Sequence, residues 1–550
     1  MINLEIPLKN RTKSYRFFEM VPGLLSWGSI ILLIVLSFVS PVLASIYVLL
    51  FIATLLIKAG GIAYHTLVGF KRIEKAQNID WHARLNDLAD PASSHARIHA
   101  SPTRELGEKA HAENLRLMAA APGNYPRPSE VYNAVIIATY NEAYEVLQPT
   151  IESVVKGTFN PKQIILVIAY EERGGNAIEG TVKQLRDEYA HQFKAFEIVK
   201  HPKDLPDEIV GKGGNITCAG QYLAKWLKKQ KIAYQDVIVT TLDSDNRPHK
   251  TYFDYVAYEF IVHDDRKHLA FQPVSLFLNN IWDVPAPMRV VATGNSFWNI
   301  ISSMRPHTLR NFASHSQPME ALVEMDFWSK RTIVEDGHQY WRSWFYFGGR
   351  YEVIPIYVPI YQDAVLSDTY TKTLKAQFVQ LRRWAYGASD VPYVATRVFT
   401  KKRNVPFWAG FTRLLRLIDG HVTLASVSII VTFGGFGPLF INPEASRSVA
   451  ANQLPEVLSI LQRVAMIGLF ITIILAFKML PPRPARYKRH RNVGMVLQWL
   501  LMPVIAIGYN AAAAFYSQTR LLFGQYLDKF DVTDKATIQT IDAKKDGAQP

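Results

Sequence analysis

Apolar runs at both ends of the chain limit its possible folds more than any other feature. Two lie near the amino end, at residues 24–40 and 42–57, and Pro41 separates them. Three more lie toward the carboxyl end, at residues 422–440, 457–480 and 495–522. Each is nearly uncharged and approaches or exceeds the roughly 17–25 residues that an α-helix needs to cross a bilayer. The sequence therefore predicts helical membrane segments on either side of a polar middle, with an interfacial helix at residues 407–418. The last run contains Pro503, which predicts a break there and a return to the cytosolic face, and a single tilted helix is the alternative.

The positive charge of the chain is concentrated beside these apolar runs. The formal net charge is +14, which would ordinarily suggest a nucleic-acid partner. Lysines and arginines cluster instead at residues 9–16, 71–75 and 483–491, next to the predicted membrane segments. This is the bias of cytosolic loops in membrane proteins. We therefore expect no nucleic-acid partner, and a multi-pass protein of the inner or plasma membrane with a cytosolic catalytic domain.

The first two apolar runs allow two interpretations. A basic start, an apolar run and Ala44-Ser45 together fit a cleaved signal peptide. The second run, followed by Lys71 and Arg72, favours a retained hairpin with both ends in the cytosol. The single cysteine, Cys218, excludes an internal disulfide framework and fits a reducing cytosolic face.

Five regions follow from these patterns. We predict a membrane hairpin at residues 1–75, connecting helices at 76–130, an α/β domain at 131–400, a second membrane region at 401–524 and a cytosolic tail at 525–550. From Tyr132 onward, short apolar strands alternate with helical stretches, which indicates a parallel sheet. Strands are predicted at residues 134–138, 164–169 and 237–242.

The strand at residues 237–242 ends in two carboxylates, Asp243 and Asp245. Ligand sites of parallel sheets form beside the carboxyl ends of the strands. Paired carboxylates there suit Mg²⁺ or Mn²⁺, which keeps water ligands and shares other positions with substrate phosphates. A strand-to-turn junction that only caps the next helix has the same short pattern. The neighbouring motifs favour the metal site.

A lysine lies inside a glycine-rich stretch, Gly211-Lys-Gly-Gly-Asn215, just before a helix predicted at residues 216–229. Glycines let a backbone approach a phosphate closely, and Lys212 would supply a point charge. A plain tight turn is the alternative. The spacing is not that of a Walker loop or a dinucleotide fingerprint, so neither an ATPase nor a dinucleotide enzyme is indicated.

Two further patterns follow later in the α/β region. Glu335 and Asp336 form another carboxylate pair after an aromatic-rich stretch. Gln380, Arg383 and Trp384 lie at positions i, i+3 and i+4 of a helix predicted at residues 373–387, so they share one face. An amphipathic helix at the membrane surface would also carry arginine and tryptophan there.

Taken in chain order, these motifs resemble those of processive family 2 glycosyltransferases, most closely bacterial cellulose synthase catalytic subunits and related membrane polysaccharide synthases. The matching motifs are T-Y-N-E at Thr139, Tyr140, Asn141 and Glu142, K-A-G-N at Lys212 to Asn215, D-x-D at Asp243 and Asp245, T-E-D at Val334, Glu335 and Asp336, Q-x-x-R-W at Gln380, Arg383 and Trp384, and F-x-V-T-x-K at Phe530, Val532, Thr533 and Lys535.

Three positions depart from the family pattern. Val334 replaces the threonine of T-E-D, which removes a hydroxyl beside the expected base. The Q-T-P acceptor motif reads Gln272-Pro273-Val274, although Asn279 keeps its spacing. Glu171 and Glu172 follow the second strand, where aspartates are usual in the family. These departures bear on the acceptor more than on the reaction.

The resemblance implies a GT-A domain, the Rossmann-like α/β fold of nucleotide-diphospho-sugar transferases, inserted between transmembrane helices. It implies that Asp336 is the general base beside Glu335, and that Asp243 and Asp245 bind the metal. Gln272 and Trp384 would contact the acceptor. It assigns nucleotide-sugar binding to Thr139, Tyr140, Asn141, Glu142, Glu171, Lys212, Asn215, Asp243, Gln380, Arg383, Trp384, Thr533 and Lys535.

The implied activity is inverting, metal-dependent polymerisation of a UDP-sugar, such as UDP-glucose or a similar UDP-hexose, into an exported β-linked polysaccharide. The partners would be the UDP-sugar, the growing polysaccharide, the bilayer and accessory export subunits. The short stretch after Lys535 predicts no carboxy-terminal domain that binds cyclic di-GMP. One alternative is transfer of a single sugar to a lipid or polyprenyl phosphate. A transporter or scaffold with a degenerate domain is a third, which the intact Asp243, Asp245 and Asp336 disfavour.

Overall fold

The computed structural model describes residues 4–103 and 105–527, and it has an α/β domain between long apolar helices. The predicted tail motif, Phe530 to Lys535, lies outside the described residues. The strands are β1 (Tyr132–Thr139), β2 (Ile164–Glu171), β3 (Ala195–His201), β4 (Val237–Asp243), β5 (Arg247–Pro248), β6 (Leu269–Leu276), β7 (Ser316–Pro318) and β8 (Glu352–Tyr361).

Helices make up most of the remaining chain. They are α1 (Lys13–Val39), α2 (Pro41–Gln77), α3 (Trp81–Asp87), α4 (Pro91–Ala100), α5 (Glu108–Ala120), α6 (Tyr144–Val155), α7 (Gly175–Tyr189), α8 (Lys212–Gln230), α9 (Tyr252–Val262), α10 (Ala286–Ser303), α11 (Met319–Glu324), α12 (Glu335–Tyr346), α13 (Tyr370–Ala385), α14 (Asp390–Val398), α15 (Phe407–Phe433), α16 (Gly437–Ile441), α17 (Val449–Met479), α18 (Arg491–Leu497), α19 (Met502–Ile505) and α20 (Ala512–Leu522).

The sheet has eight strands in the order β3-β2-β1-β4-β7-β6-β8-β5. The first four are parallel, and β2 is buried along its whole length, as its apolar sequence requires. Ala138 of β1 pairs with Asp243 of β4, and Thr139 pairs with Tyr170 of β2. The three strand ends that sequence patterns identified therefore meet at one edge of the sheet.

Two antiparallel helix pairs form the apolar bundle. α1 and α2 join at Ser40, and α17 returns alongside α2 after α15. One apolar cluster holds the four helices together, with buried members Leu33, Val48, Ile52, Ile430, Leu454 and Leu458. Among the described residues, the helices long and apolar enough to cross a membrane are α1, α2, α15 and the stretch Arg491–Leu522. The predicted amino-terminal hairpin is thus one of two hairpins in this bundle.

Both helix pairs begin and end at the α/β domain. At the end of α2, the Gln77 amide donates to the Tyr361 hydroxyl at 2.9 Å. After α17, the Trp282 indole donates to the carbonyl of Pro481 at 3.0 Å. The basic stretches at residues 9–16, 71–75 and 483–491 therefore stand on the domain side of the bundle.

The expected interfacial helix at residues 407–418 is not a separate element, which corrects the prediction. It is the first half of α15, which continues without a break to Phe433. Arg413, Arg416 and Asp419 lower the hydropathy of that half. No proline follows Pro406 within the helix, so nothing interrupts its hydrogen bonds.

The expected break near Pro503 is present, but it does not reverse the chain. Between Arg491 and Leu522 the backbone passes from α18 through a 3₁₀ turn, α19 and a π-helical stretch (Ala506–Ala511) into α20. The Arg491 guanidinium donates to the carbonyl of Trp282 at 2.6 Å, and just beyond the other end of the segment the backbone amide of Leu527 donates to the Tyr386 hydroxyl at 3.2 Å. Both ends of this segment therefore lie against the α/β domain.

The segment 491–522 runs alongside α13 between these two ends. The Tyr509 hydroxyl donates to the carbonyl of Leu374 at 3.3 Å, and the Ser517 hydroxyl donates to that of Arg382 at 2.7 Å. The segment also packs against the bundle, because the Ser428 hydroxyl of α15 donates to the carbonyl of Ala506 at 3.4 Å and the Ser26 hydroxyl of α1 donates to the Gln518 side chain at 2.6 Å. It therefore lies between α13 and the helices α1 and α15. The tail that follows begins beside Tyr386, on the same side as the sheet.

Candidate active site

A cavity of about 830 Å³ opens at the carboxyl ends of β1, β2 and β4 and continues toward α10, α15 and the segment 491–522. The predicted residues that line it are Thr139, Tyr140, Glu142, Glu171, Lys212, Asn215, Asp243, Asp245, Glu335, Asp336, Gln380, Arg383 and Trp384. The cavity therefore gathers side chains that are far apart in the sequence, because the strand ends and two helices converge there.

Lys212 is the centre of the charged part of this cavity. Its ammonium group lies 2.9 Å from Asp243, 3.1 Å from Asp336 and 3.9 Å from Glu335. Asp243 ends β4, whereas Glu335 and Asp336 form the first turn of α12. One lysine thus joins the two carboxylate motifs, and its charge is engaged by protein carboxylates and not held free for a phosphate.

Burial and neighbouring charge shift two pKa values in this group. Burial alone would lower the pKa of Lys212, but the three nearby carboxylates outweigh it and raise that pKa well above its usual value. Burial also raises the pKa of Glu335, and the adjacent charge of Asp336 adds to the rise. The lysine is therefore firmly cationic, and Glu335 holds a proton more readily than an exposed glutamate.

The glycine-rich stretch does not form a loop before a helix, which corrects the prediction. Lys212, Gly213, Gly214 and Asn215 are the first turn of α8 itself. A Cβ on Gly213 would stand 2.2 Å from the carbonyl oxygen of Ser329, and one on Gly214 would stand 2.7 Å from Glu208. The glycines allow close packing of α8 against its neighbours, and this packing brings Lys212 to Asp243.

Asp245 is fixed by the loop that follows β8. One of its carboxylate oxygens accepts a hydrogen bond from the backbone amide of Asp363 at 3.1 Å. The Asn279 amide donates to the Asp245 carbonyl at 3.0 Å, so this asparagine supports the D-x-D turn and does not line the cavity. Asp245 is buried but lies on the cavity wall beside Asp243.

The two aspartates fit a hard divalent cation with few protein ligands. Within residues 4–103 and 105–527, no cluster of three or more His, Cys, Asp or Glu side chains is arranged to hold a metal ion. Asp243 and Asp245 are therefore the available protein ligands. Mg²⁺ and Mn²⁺ accept this arrangement, because they retain waters and take further oxygen ligands from substrate phosphates.

Glu142 organises the end of β1. Its carboxylate accepts hydrogen bonds from the Thr139 hydroxyl at 2.6 Å, the Tyr140 amide at 2.7 Å and the Ser244 hydroxyl at 3.1 Å. The Asn215 amide donates to the carbonyls of Thr139 and Ala169. Two of the predicted binding residues, Glu142 and Asn215, thus shape the strand ends in addition to lining the cavity.

Glu171 lies in a second charged group at the end of β2. It pairs with Arg173 at 2.8 Å and lies 3.5 Å from His201, whose other ring nitrogen is 3.0 Å from Glu208. Burial would lower the pKa of His201, but hydrogen bonds to Glu171 and Glu208 outweigh it and raise the pKa to about 9. Arg173 also lies over the ring of Tyr140 at 5.2 Å.

Gln380, Arg383 and Trp384 all reach the cavity from one face of α13, as the spacing predicts. Trp384 is 38% exposed, so a flat face of its ring remains available to a ligand. Its ring lies 6.1 Å from that of Phe277. This helix face also borders the segment 491–522, so it faces both the sheet and the bundle.

Two predicted residues in the described part of the chain do not line the cavity. Asn141 is exposed at the turn after β1. Gln272 is buried within β6, where its amide donates to the carbonyl of Ala313 at 3.2 Å and its oxygen accepts from the amide of Phe312 at 2.7 Å. Gln272 therefore positions the loop after α10. Thr533 and Lys535 lie outside the described residues.

Sequence patterns missed several cavity residues. Arg173 lies two residues after β2, and the polar residues at the end of that strand could have identified it as a cavity residue. Arg310, Asp363 and the α10 residues Asn295 and Trp298 also line the cavity. None of these four belongs to a recognisable motif, because their positions depend on how loops and helices pack over the sheet.

His315 lies near the expected base but does not share its proton. Its Nδ1 is 3.9 Å from Asp336, yet it is within 2.8 Å of the carbonyl of Phe312, to which it donates. The Trp328 indole donates to Nε2 at 3.3 Å. Burial lowers the pKa of His315. The histidine is therefore neutral, and both oxygens of Asp336, which lines the cavity, lie within 3.4 Å of the Lys212 ammonium group.

Several solved structures are similar to this chain at low identity. The mannosyltransferase PcManGT from Pyrobaculum calidifontis, in complex with GDP-Man and Mn²⁺, has 15% identity and a TM-score of 0.41, over 80% of this chain and 100% of its own. S. aureus TarS 1-349 in complex with UDP has 14% identity and a TM-score of 0.34, over 74% of this chain and 95% of its own. GalNAc-T7 with UDP, GalNAc and Mn²⁺ has 10% identity and a TM-score of 0.31, over 54% of this chain and 58% of its own.

No protein-family model matches the chain, and no curated protein sequence matches it. The similarity to the solved structures is too weak to transfer a function, since all three TM-scores are below 0.5.

Proposed function

We propose that this protein is a membrane-bound GT-A glycosyltransferase that transfers sugar, with inversion, from a UDP-sugar to an acceptor in the cavity. The observation that carries the proposal is the group around Lys212. There, Asp243 from a strand end and Asp336 from a helix start meet beside Asp245, in a cavity that continues to the apolar helices. A divalent cation on two aspartates stabilises a departing diphosphate, and a separate carboxylate can take the proton of the attacking hydroxyl.

The diphosphate of the donor needs charge neutralisation as it leaves. Asp243 and Asp245 would hold Mg²⁺ or Mn²⁺, which when bound supplies Lewis acidity for the leaving group. Arg383 lines the cavity from α13 and would add fixed positive charge near the departing phosphates. Lys212 would act mainly through the carboxylates that it holds together.

Asp336 would remove the proton from the acceptor hydroxyl. The acceptor oxygen then bonds to the anomeric carbon while the bond between that carbon and the diphosphate oxygen breaks, which inverts the configuration in a single displacement. The Asp336 carboxylate is suited to this role because Lys212 orients it at 3.1 Å and His315 stays neutral beside it. Glu335 would contribute to the electrostatic environment of Asp336 and Lys212 from the same turn of α12.

The nucleoside would bind at the ends of β1 and β2. Thr139, Glu142 and Glu171 border this part of the cavity, and Tyr140 lies beneath Arg173. In the tail, Thr533 would hydrogen-bond the diphosphate and Lys535 would neutralise it.

The first candidate product is a β-linked polysaccharide that is exported through the helical bundle as it grows. The exposed face of Trp384 at the junction of sheet and bundle supports a sugar acceptor at this position. The second candidate is one transfer to a lipid or polyprenyl phosphate. It is favoured by the apolar residues that line the cavity toward the bundle, among them Val290, Leu424 and Ile505.

The test is incorporation of label from a panel of radiolabelled UDP-sugars by membranes that contain the protein. We expect a polymer or a lipid-linked product from at least one donor, and the two are separated by solvent extraction and sizing. Asp336→Asn membranes are the matched control. Failure of every UDP-sugar to label any product would contradict the proposal, and full activity in EDTA would contradict the metal site.

A further inference from the structure

Arg310 is a cation on the cavity wall that the proposed reaction does not use. It lies between α10 and β7, and it lines the cavity together with Asp390, Leu417 and His421. These neighbours belong to α14 and α15, so Arg310 stands at the end of the cavity that faces the helical bundle. Lys212 and its carboxylates occupy the other end.

Arg310 has no close counterion among the described residues, and the nearest acidic influence on it comes from Asp390. Within the part of the chain that the structure describes, it forms no ion pair within 4 Å and no hydrogen bond. The acidic side chain with the largest influence on it, Asp390, is bonded to His338 at 2.7 Å. Arg310 approaches only the ring of Trp341, at 5.7 Å. Burial lowers the pKa of Arg310, as expected for a cation without a close partner.

The apolar side chains near Arg310 extend to the part of the bundle in which α15 carries no charged residues. Asp419 of α15 pairs with Lys58 of α2 at 3.1 Å, and α15 carries no charged residue after Asp419. His421 and Leu424 line the cavity within two turns of that pair, and Met502 faces them from the segment 491–522. Leu424 and Met502 are 42% and 43% exposed. This end of the cavity is therefore apolar and lies at the boundary of the uncharged bundle.

A ligand that fits both features has an anionic head and a hydrocarbon chain. A buried arginine favours phosphate, because its planar guanidinium matches the oxygens of that group with paired hydrogen bonds. A hydrocarbon chain would bury the exposed apolar side chains, which is favourable because it removes apolar surface from water. A neutral sugar chain satisfies the apolar walls but leaves Arg310 without a counterion.

We propose that the bundle end of the cavity binds a lipid phosphate, with Arg310 holding the phosphate and the apolar residues of α10, α15 and the segment 491–522 holding the chain. This inference rests on the proposed function, because it names the chemical class of the ligand at the acceptor end of the same cavity. It concerns binding and involves no covalent step. The lipid enters from the level of the Lys58–Asp419 pair, where the bundle meets the domain.

The test measures equilibrium binding of radiolabelled farnesyl phosphate, farnesol and inorganic phosphate to the purified full-length chain in a non-ionic detergent. We expect farnesyl phosphate to bind at least tenfold more tightly than either of the other two probes. Arg310→Gln should remove this preference while leaving farnesol and UDP binding unchanged. Arg310→Lys should keep part of it, since the charge remains. Arg350→Gln is the matched control, because Arg350 is exposed and lies outside the cavity.

Equal affinity of the wild type for farnesyl phosphate and farnesol would overturn the proposal, as would an undiminished preference in Arg310→Gln. Inorganic phosphate that binds as tightly as farnesyl phosphate would also overturn it, because the site would then hold a free anion. Tighter binding of an acidic oligosaccharide would point to a carbohydrate ligand instead. If the wild type binds farnesyl phosphate through Arg310 but turns over no UDP-sugar, the proposed function fails and the lipid site stands.

Discussion

The two ends of the cavity differ in how their charges are balanced. At the sheet end, one lysine is surrounded by Asp243, Glu335 and Asp336, so the group around Lys212 carries an excess of negative charge. At the bundle end, Arg310 has no counterion among the described residues, and its surroundings are largely apolar. The sheet end is therefore complementary to a divalent cation, and the bundle end to an anion.

Because of this difference, the charged residues at the sheet end should contribute to the stability of the fold, whereas Arg310 at the bundle end should contribute mainly to ligand binding. A buried ion that has lost its partner costs several kcal/mol, so the charges at the sheet end hold each other in place. At the bundle end, no carboxylate of the described residues lies within 4 Å of the arginine. Substitution of Lys212 should therefore lower the stability of the fold, whereas substitution of Arg310 should weaken binding and leave stability nearly unchanged.

The largest effect is expected for Asp336→Asn. General-base catalysis typically contributes roughly 10²–10⁴-fold, and turnover should fall by about that factor. UDP affinity should change little, because Asp336 is assigned to the acceptor and not to the nucleotide. Sugar incorporation and UDP binding measured on the same preparation check both parts. A variant that keeps more than about a tenth of wild-type turnover would be inconsistent with a base at Asp336.

Lys212→Gln should destabilise the fold itself. Removing one partner of a buried charged group typically costs about 3–5 kcal/mol, and here three carboxylates lose the same cation. The measurement is unfolding of the detergent-solubilised protein by heat or denaturant. Added Mn²⁺ should restore part of the loss, since the cation would replace the missing charge near Asp243. An unchanged midpoint would show that the carboxylates do not depend on Lys212.

Stability should depend on pH through His201. Its pKa is raised from 6.5 to about 9 by Glu171 and Glu208, so the protonated form stabilises the folded protein. The stabilisation is fully present below pH 6.5 and is lost as the pH rises toward 9, by roughly 3 kcal/mol. Unfolding curves from pH 6 to 9.5 measure this slope, and His201→Gln provides the comparison. If the variant shows the same pH dependence, another group is responsible.

The smallest effect is expected for the stability of Arg310→Gln. Because no protein group pairs with Arg310, its removal should change the free energy of unfolding by less than about 1 kcal/mol. The measurement is the same unfolding experiment that is used for Lys212→Gln. A loss as large as that of the lysine variant would show that Arg310 is a structural residue, and the contrast between the two ends would disappear.

The sequence was sufficient to predict the sheet end of the site. Parallel strands that alternate with helices bring their carboxyl ends to one edge, so Thr139, Glu171 and Asp243 meet there. The helical spacing of Gln380, Arg383 and Trp384 was enough to place them on one face. Apolar length and basic flanks predicted the bundle and its domain side. These features depend on local periodicity and short-range geometry, which a sequence carries directly.

The tertiary structure alone decided which charges are paired and which way the late helical segment runs. Lys212 and Asp336 are 124 positions apart, and only the packing of α8 against α12, permitted by Gly213, brings them together. Gln272 matches part of an acceptor motif in the sequence, but its side chain is buried and forms hydrogen bonds with the backbone of Phe312 and Ala313. Residues 491–522 have the composition of a membrane crossing, yet the segment contacts the α/β domain at both ends, where Arg491 donates to Trp282 and Ser517 donates to Arg382. Composition limits the positions that a segment can occupy, whereas contacts between distant parts of the chain determine which of these positions it takes.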